Sequence, residues 1–110
     1  MKKPKPLLPT LREKKRYLVY EVLSKTAPSP QTIQTTIHTA LQTFLGTLGM
    51  AKAGILYLET NKPNTGIIRV TTKYADHARA ALTLIRNINK TEAIVRTIGL
   101  SGTLHKARIK

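Results

Sequence analysis

The chain has 110 residues, with 19 Lys and Arg against five Asp and Glu, for a formal net charge of +14. That length makes one domain with a modest core, and 41% hydrophobic residues is richer than a disordered basic tail would be. The absence of cysteine excludes disulfides, a thiolate nucleophile and a thiolate zinc site. No apolar run nears the ~20 residues that cross a bilayer, and prolines and charges follow the basic N-terminus where a signal peptide needs its apolar segment, so a cytoplasmic protein without a membrane partner is expected.

Residues 1–10 (MKKPKPLLPT) hold three prolines and three lysines and are expected to form a flexible arm. The basic run Arg12, Lys14, Lys15, Arg16 follows, relieved only by Glu13. Residues 17–23 (YLVYEVL) are rich in aromatic and β-branched side chains, which predicts a first strand. Ser29 and Pro30 suit an N-cap and first helical position, and Ile33, Ile37, Ala40, Leu41, Phe44, Leu45 and Leu48 recur at helical spacing. A helix over 30–48 is predicted, stopped by Gly46 and Gly49. No charged residue occurs between 26 and 51, and the outer face of this helix is Gln and Thr, a poor phosphate binder and a candidate protein contact.

A second strand is predicted over 54–60 (GILYLET), turn residues over 61–66 (NKPNTG), and a third strand over 67–72. Asp76 is a candidate cap for a second helix facing inward through Ala78, Ala81, Leu82, Ile85 and Ile88. Residues 87–91 break it, and the last strand is 93–100, after which glycines loosen the chain before a basic tail. The order strand-helix-strand-strand-helix-strand predicts an α+β, ferredoxin-like or RRM-like βαββαβ fold. Its four-stranded antiparallel sheet would have order 4-1-3-2, with both helices on one face. The expected organisation is an arm at 1–10, a single RNA-binding domain at 11–104 and a basic C-terminal tail at 105–110.

Alternation places Leu18, Tyr20, Val22, Leu56, Leu58, Ile68, Val70 and Val95 toward the helices. The opposite face then holds Glu21, Glu59, Arg69 and Arg96 together with Tyr17, Val19, Ile55, Tyr57, Ile67, Ile94 and Ile98. It is too apolar to be plain solvent surface, so something is expected to cover part of it. The third strand carries no aromatic for base stacking, so Tyr17 and Tyr57 are read as half-buried under a tail or partner.

Basic ends framing a neutral helix point to a polyanion, RNA or DNA, bound through phosphates. Arg12, Lys14, Lys15, Arg16, Arg96, Lys106 and Arg108 are the candidate phosphate contacts, with Arg96 expected near Arg16 in the sheet. The glycines and hydroxyls of 99–103 could offer N–H groups to a phosphate, although a bulge or turn accounts for them equally well. His38, His77 and His105 lie in different elements and the five acids are scattered, so no catalytic residue and no metal site is predicted. Glu21 and Glu59, with Arg69 between them, read as a salt-bridged surface.

Three segments, LREKKRYLVYEV at 11–22, NKPNTGIIRVTTKY at 61–74 and VRTIGLSGTLHKAR at 95–108, together resemble the archaeal ribonuclease P protein component 2 family, relatives of a eukaryotic ribonuclease P/MRP subunit. Between them, the first helix is covered by its pattern and its LGTLG end. The resemblance implies a non-catalytic subunit of a ribonucleoprotein endonuclease that removes the 5′ leader from precursor tRNA. It further implies chemistry in a magnesium-dependent RNA subunit, a TIM-barrel partner (protein component 3) and a possible homodimer within a heterotetramer. It adds Ser101, Gly102 and Thr103 to the RNA-binding candidates, while Tyr17, Tyr57 and Ile67 are the candidate partner contacts on the sheet. The alternative is a ribosomal or other RNA-binding protein of the same fold; a structural oligomer with solubilising tails is a further rival.

Overall fold

The computed structural model describes residues 14–26, 28–58, 60 and 62–108. The arm at 1–10 and Arg12 lie outside the described residues. Strand β1 (Lys15–Ser24) opens the fold, alternating Leu18, Tyr20 and Val22 onto one buried face. Helix α1 (Pro30–Ala53) starts as expected: the Ser29 Oγ accepts from the Thr32 N–H at 3.2 Å and Pro30 occupies the first turn. It does not stop at residue 48. Gly46 adopts a non-helical left-handed-side conformation (φ 74°, ψ 173°) that kinks the helix. The helix then resumes to Ala53, because Ala53 and Met50 have the core to pack against.

Strands β2 (Leu56–Leu58) and β3 (Thr65–Thr71) follow, then a single 3₁₀ turn (Thr72–Tyr74) and helix α2 (Ala75–Thr83). Asp76 lies in the first turn of α2 and pairs with Arg79 at 3.0 Å instead of capping it. Strand β4 (Asn87–Ile88) and strand β5 (Thr91–Ser101) form a hairpin whose two central residues, Asn89 and Lys90, both have positive φ. That is the geometry of a type I′ turn, whose twist suits a two-residue hairpin. The chain closes with helix α3 (Leu104–Arg108).

The result among the described residues is α+β with an antiparallel sheet, but of five strands in order β2-β3-β1-β5-β4 and with three helices. The four-stranded 4-1-3-2 sheet with two helices is thereby corrected. The additional strand is the segment read as a helix break, and the third helix occupies most of the segment read as a tail.

Helices α1 and α2 cover one face of the sheet over a core that includes Leu18, Val22, Ile37, Leu41, Ile68, Val70, Leu82 and Val95. A bulge in β5 keeps that face consistent. Val19 pairs with Gly99 but Tyr20 pairs with Thr97, leaving Ile98 as an extra residue. Val95 and Leu100 are five positions apart and would point to opposite faces of a regular strand. The extra residue resets the alternation, so both reach the core beside Val22 and Leu18.

The opposite face carries a second apolar cluster of Val19, Ile67 and Ala107, with Tyr17, Leu58, Ile98 and Leu104 packed around it. Ala107 and Leu104 belong to α3, so this helix covers the part of this face around Val19 and Ile67, while Ile94 and Leu56 on it stay exposed.

Candidate RNA-binding surface

Because β1 is antiparallel to both neighbours, its start meets the end of β3 and the end of β5: Lys15 lies opposite Thr71, and Tyr17 opposite Ser101. The 3₁₀ turn ties this end together, with the Thr72 N–H and hydroxyl both donating to the Lys14 carbonyl (2.8 and 3.1 Å). Arg16 reaches across toward Gly102, where a Cβ would sit 3.8 Å from Nη1. Lys15 extends toward the end of α1, where a Cβ on Gly54 would sit 3.1 Å from Nζ. Thr103 starts α3, its Oγ1 accepting from the Lys106 N–H (3.3 Å) and its carbonyl from the Ala107 N–H (3.1 Å). Lys106 and Arg108 therefore follow in a helix of fixed orientation rather than in a loose tail.

Lys14, Lys15, Arg16, Gly102 and Thr103 are thus gathered at one end of the sheet, with Lys106 and Arg108 on α3, which runs from that end over Val19 and Ile67; all but the half-buried Lys15 are exposed. None of these cations makes an ion pair among the described residues; the pairs found there are Asp76–Arg79 and Glu21–Arg96. Two further exposed lysines were missed in the sequence: Lys73 in the 3₁₀ turn and Lys52 in the last turn of α1. Antiparallel pairing is the signal that could have found Lys73, since the segment after β3 must return to where β1 begins.

Two candidate residues do not fit this surface. Ser101 is only 5% exposed, held opposite Tyr17 beneath the start of α3, so its side chain is not presented to a ligand. Arg96 is not near Arg16. The antiparallel direction of β5 sets it opposite Glu21, with Arg96 Nη2 at 3.0 Å from Glu21 Oε1. The basic end segment, not Arg96, is what returns beside Arg16. Among the described residues the salt bridge of this face joins Glu21 to Arg96 and leaves Arg69 out, and Glu59 lies outside those residues.

The partner-contact residues change as well. Ile67 is fully buried beneath α3, and Tyr17 packs at the edge of the same cluster. Tyr57 lies on the other face. Strand β2 pairs Tyr57 with Ile68 and Leu58 with Ile67, one residue out of phase with the expected alternation, which turns Tyr57 and Ile55 to the helices and Leu56 and Leu58 away. The Tyr57 hydroxyl meets His38 Nδ1 of α1 at 2.9 Å. Burial, together with neighbouring Tyr20, pushes the Tyr57 phenol up to about 12, so it stays neutral at physiological pH.

Outside the sheet, the Gln/Thr face of α1 is largely exposed, and Thr36, Thr39, Thr43, Phe44 and Leu84 line a groove of about 710 Å³ between α1 and the end of α2. Among the described residues, no three His, Asp or Glu side chains gather where a metal ion could be held. No helix among them is long and apolar enough to cross a membrane.

The Rpp14/Pop5 family model matches residues 16–110. Among curated proteins, the chain is 40% identical over 109 residues to ribonuclease P protein component 2 of Thermococcus gammatolerans, covering 98% of this chain and 91% of that one. It is 39% identical over 111 residues to the same component of Pyrococcus furiosus (98% and 91% covered). With the component of Methanocaldococcus jannaschii it shares 34% over 106 residues (96% and 78%). Among solved structures, a chain of yeast ribonuclease MRP superposes with a TM-score of 0.65 at 15% identity, covering 89% of this chain and 86% of that one, a likeness of fold. The chain belongs to the Rpp14/Pop5 family, as a relative of the archaeal ribonuclease P protein component 2.

Proposed function

We propose that this chain serves ribonuclease P, the ribonucleoprotein that removes the 5′ leader from precursor tRNA, by holding its RNA subunit in the active fold. The observation that carries this is the collection of Lys14, Lys15 and Arg16 at one end of the sheet, with Lys106 and Arg108 on the adjoining α3, without a carboxylate partner among the described residues. Unpaired, exposed cations are suited to neutralising phosphates and releasing the counterions condensed on RNA. Among the described residues no acids gather into a cage for magnesium, and in this reading the metal and the chemistry reside with the RNA. A protein partner, the TIM-barrel component 3, is proposed to meet the helix layer, whose Gln/Thr face and exposed Phe44, Leu48 and Leu84 remain uncovered where Ile67 and Tyr57 do not. A homodimer within a heterotetramer and a cytoplasmic location complete the proposal.

The test is precursor-tRNA cleavage by ribonuclease P RNA and component 3, with and without this chain, across a magnesium titration. Cleavage is expected at lower magnesium only when the chain is present, and the gain should vanish when Lys14, Lys15 and Arg16 are changed together to Ala. No effect of the folded wild-type chain would overturn the proposal.

A further inference from the structure

Arg69 lies on β3 on the sheet face that α3 partly covers, opposite Tyr17 of β1 and Leu56 of β2. It is half-buried, and its Nε is sealed from solvent without a hydrogen-bond partner. No described carboxylate pairs with it, the ion pairs of Glu21 and Asp76 being made to Arg96 and Arg79. An unsatisfied buried donor is costly, more so when charged. Two positions along the same face lies Thr71, which at 2% exposure presents no hydroxyl to a ligand. Opposite Thr71 stands Lys15, a second cation diagonal to Arg69 across the β1–β3 pair. Two cations of like sign on neighbouring positions lack what an anion with several acceptor oxygens would supply.

We propose that Arg69 and Lys15 form a phosphodiester-binding site on the sheet face beside α3, so that bound RNA passes from the basic rim onto this corner of the sheet. This rests on the RNA-binding reading above and extends it to a residue facing away from the rim. A guanidinium suits such a ligand because its donor fork can engage two phosphate oxygens at once. It also explains why a half-buried arginine stands without a carboxylate among the described residues: its partner arrives with the RNA.

The experiment compares full-length wild type, Arg69→Gln and Arg69→Lys for binding to transcribed ribonuclease P RNA between 50 and 200 mM KCl, alongside thermal melting of each free protein. Arg69→Gln is expected to bind about tenfold more weakly, with a salt slope shallower by about 1, while its melting midpoint is unchanged or raised. Arg69→Lys should keep the wild-type slope and lose part of the affinity. An Arg69→Gln protein that binds with wild-type affinity and slope overturns the site while leaving the RNA-binding reading intact. So does an Arg69→Lys slope as shallow as that of Arg69→Gln, or a lowered Arg69→Gln melting midpoint with an unchanged slope, which would make Arg69 a structural residue. Absence of salt-dependent binding by the wild type overturns the underlying reading instead.

Discussion

At Gly66 a side chain has no room. A Cβ there would collide with Oη and Cζ of Tyr20 and lie 2.8 Å from its Cε1. Tyr20 cannot move aside cheaply, being 7% exposed and held among the core side chains under α1. Gly102 is the contrasting case, since the nearest atom to its Cβ position is the flexible Arg16 guanidinium at 3.8 Å. Gly66→Ala should therefore destabilise by about 1–3 kcal/mol through overpacking, whereas Gly102→Ala should stay within about 0.5 kcal/mol of wild type. Urea denaturation of both variants checks this, and equal midpoints would contradict the steric argument. Single residues also mark where the sequence was legible. Ser29 and Pro30 could be read because capping is settled within three residues of chain. Arg96 could not be placed, because its neighbour Glu21 is 75 residues away and the pairing depends on strand direction.

The same limit explains the elements. The long strands β1 and β5 and the stripe of α1 carry enough periodic residues to declare themselves, whereas β2 has three residues, and only its pairing with β3 decides which way Tyr57 points. Helix α3 has five residues, three of them His, Lys or Arg, so its composition reads as a tail; its two apolar residues count only once the sheet face beneath them is known. A cover was expected over that face, and α3 supplies it. Its hold centres on Ala107, which is 1% exposed against Val19 and Ile67. Ala107→Asp would put an unpaired charge into that cluster, and the helix should lift rather than bury it. We expect a loss of about 2–3 kcal/mol in urea unfolding, with increased binding of an apolar dye as Val19 and Ile67 open to solvent. Unchanged stability and dye binding would mean that α3 is not what seals this face.

At the scale of the whole molecule, the +14 charge is not all equivalent. Lys14, Lys15, Arg16, Lys106 and Arg108 stand where β1 begins and β5 ends, while Lys25, Arg86 and Lys90 stand where β1 ends and β5 begins. Ten residues of extended β1 separate the two groups, roughly 30 Å at about 3.3 Å per residue. That is some three Debye lengths at ~0.1 M salt, so a phosphate bound at one end gains little from the other. If RNA uses the first end, about five phosphate contacts give a slope of log affinity against log salt near −4, and affinity falls by roughly two to three decades between 50 and 200 mM. Replacing Lys14, Lys15 and Arg16 with Ala should flatten the slope by about 2–3. The matched replacement of Lys25, Arg86 and Lys90 removes the same net charge and should flatten it by less than about 1. Filter binding of the two triple variants to one RNA decides the matter: equal slopes would show that net charge alone attracts the RNA, and unequal slopes in the stated order that the fold has given this chain a nucleic-acid end.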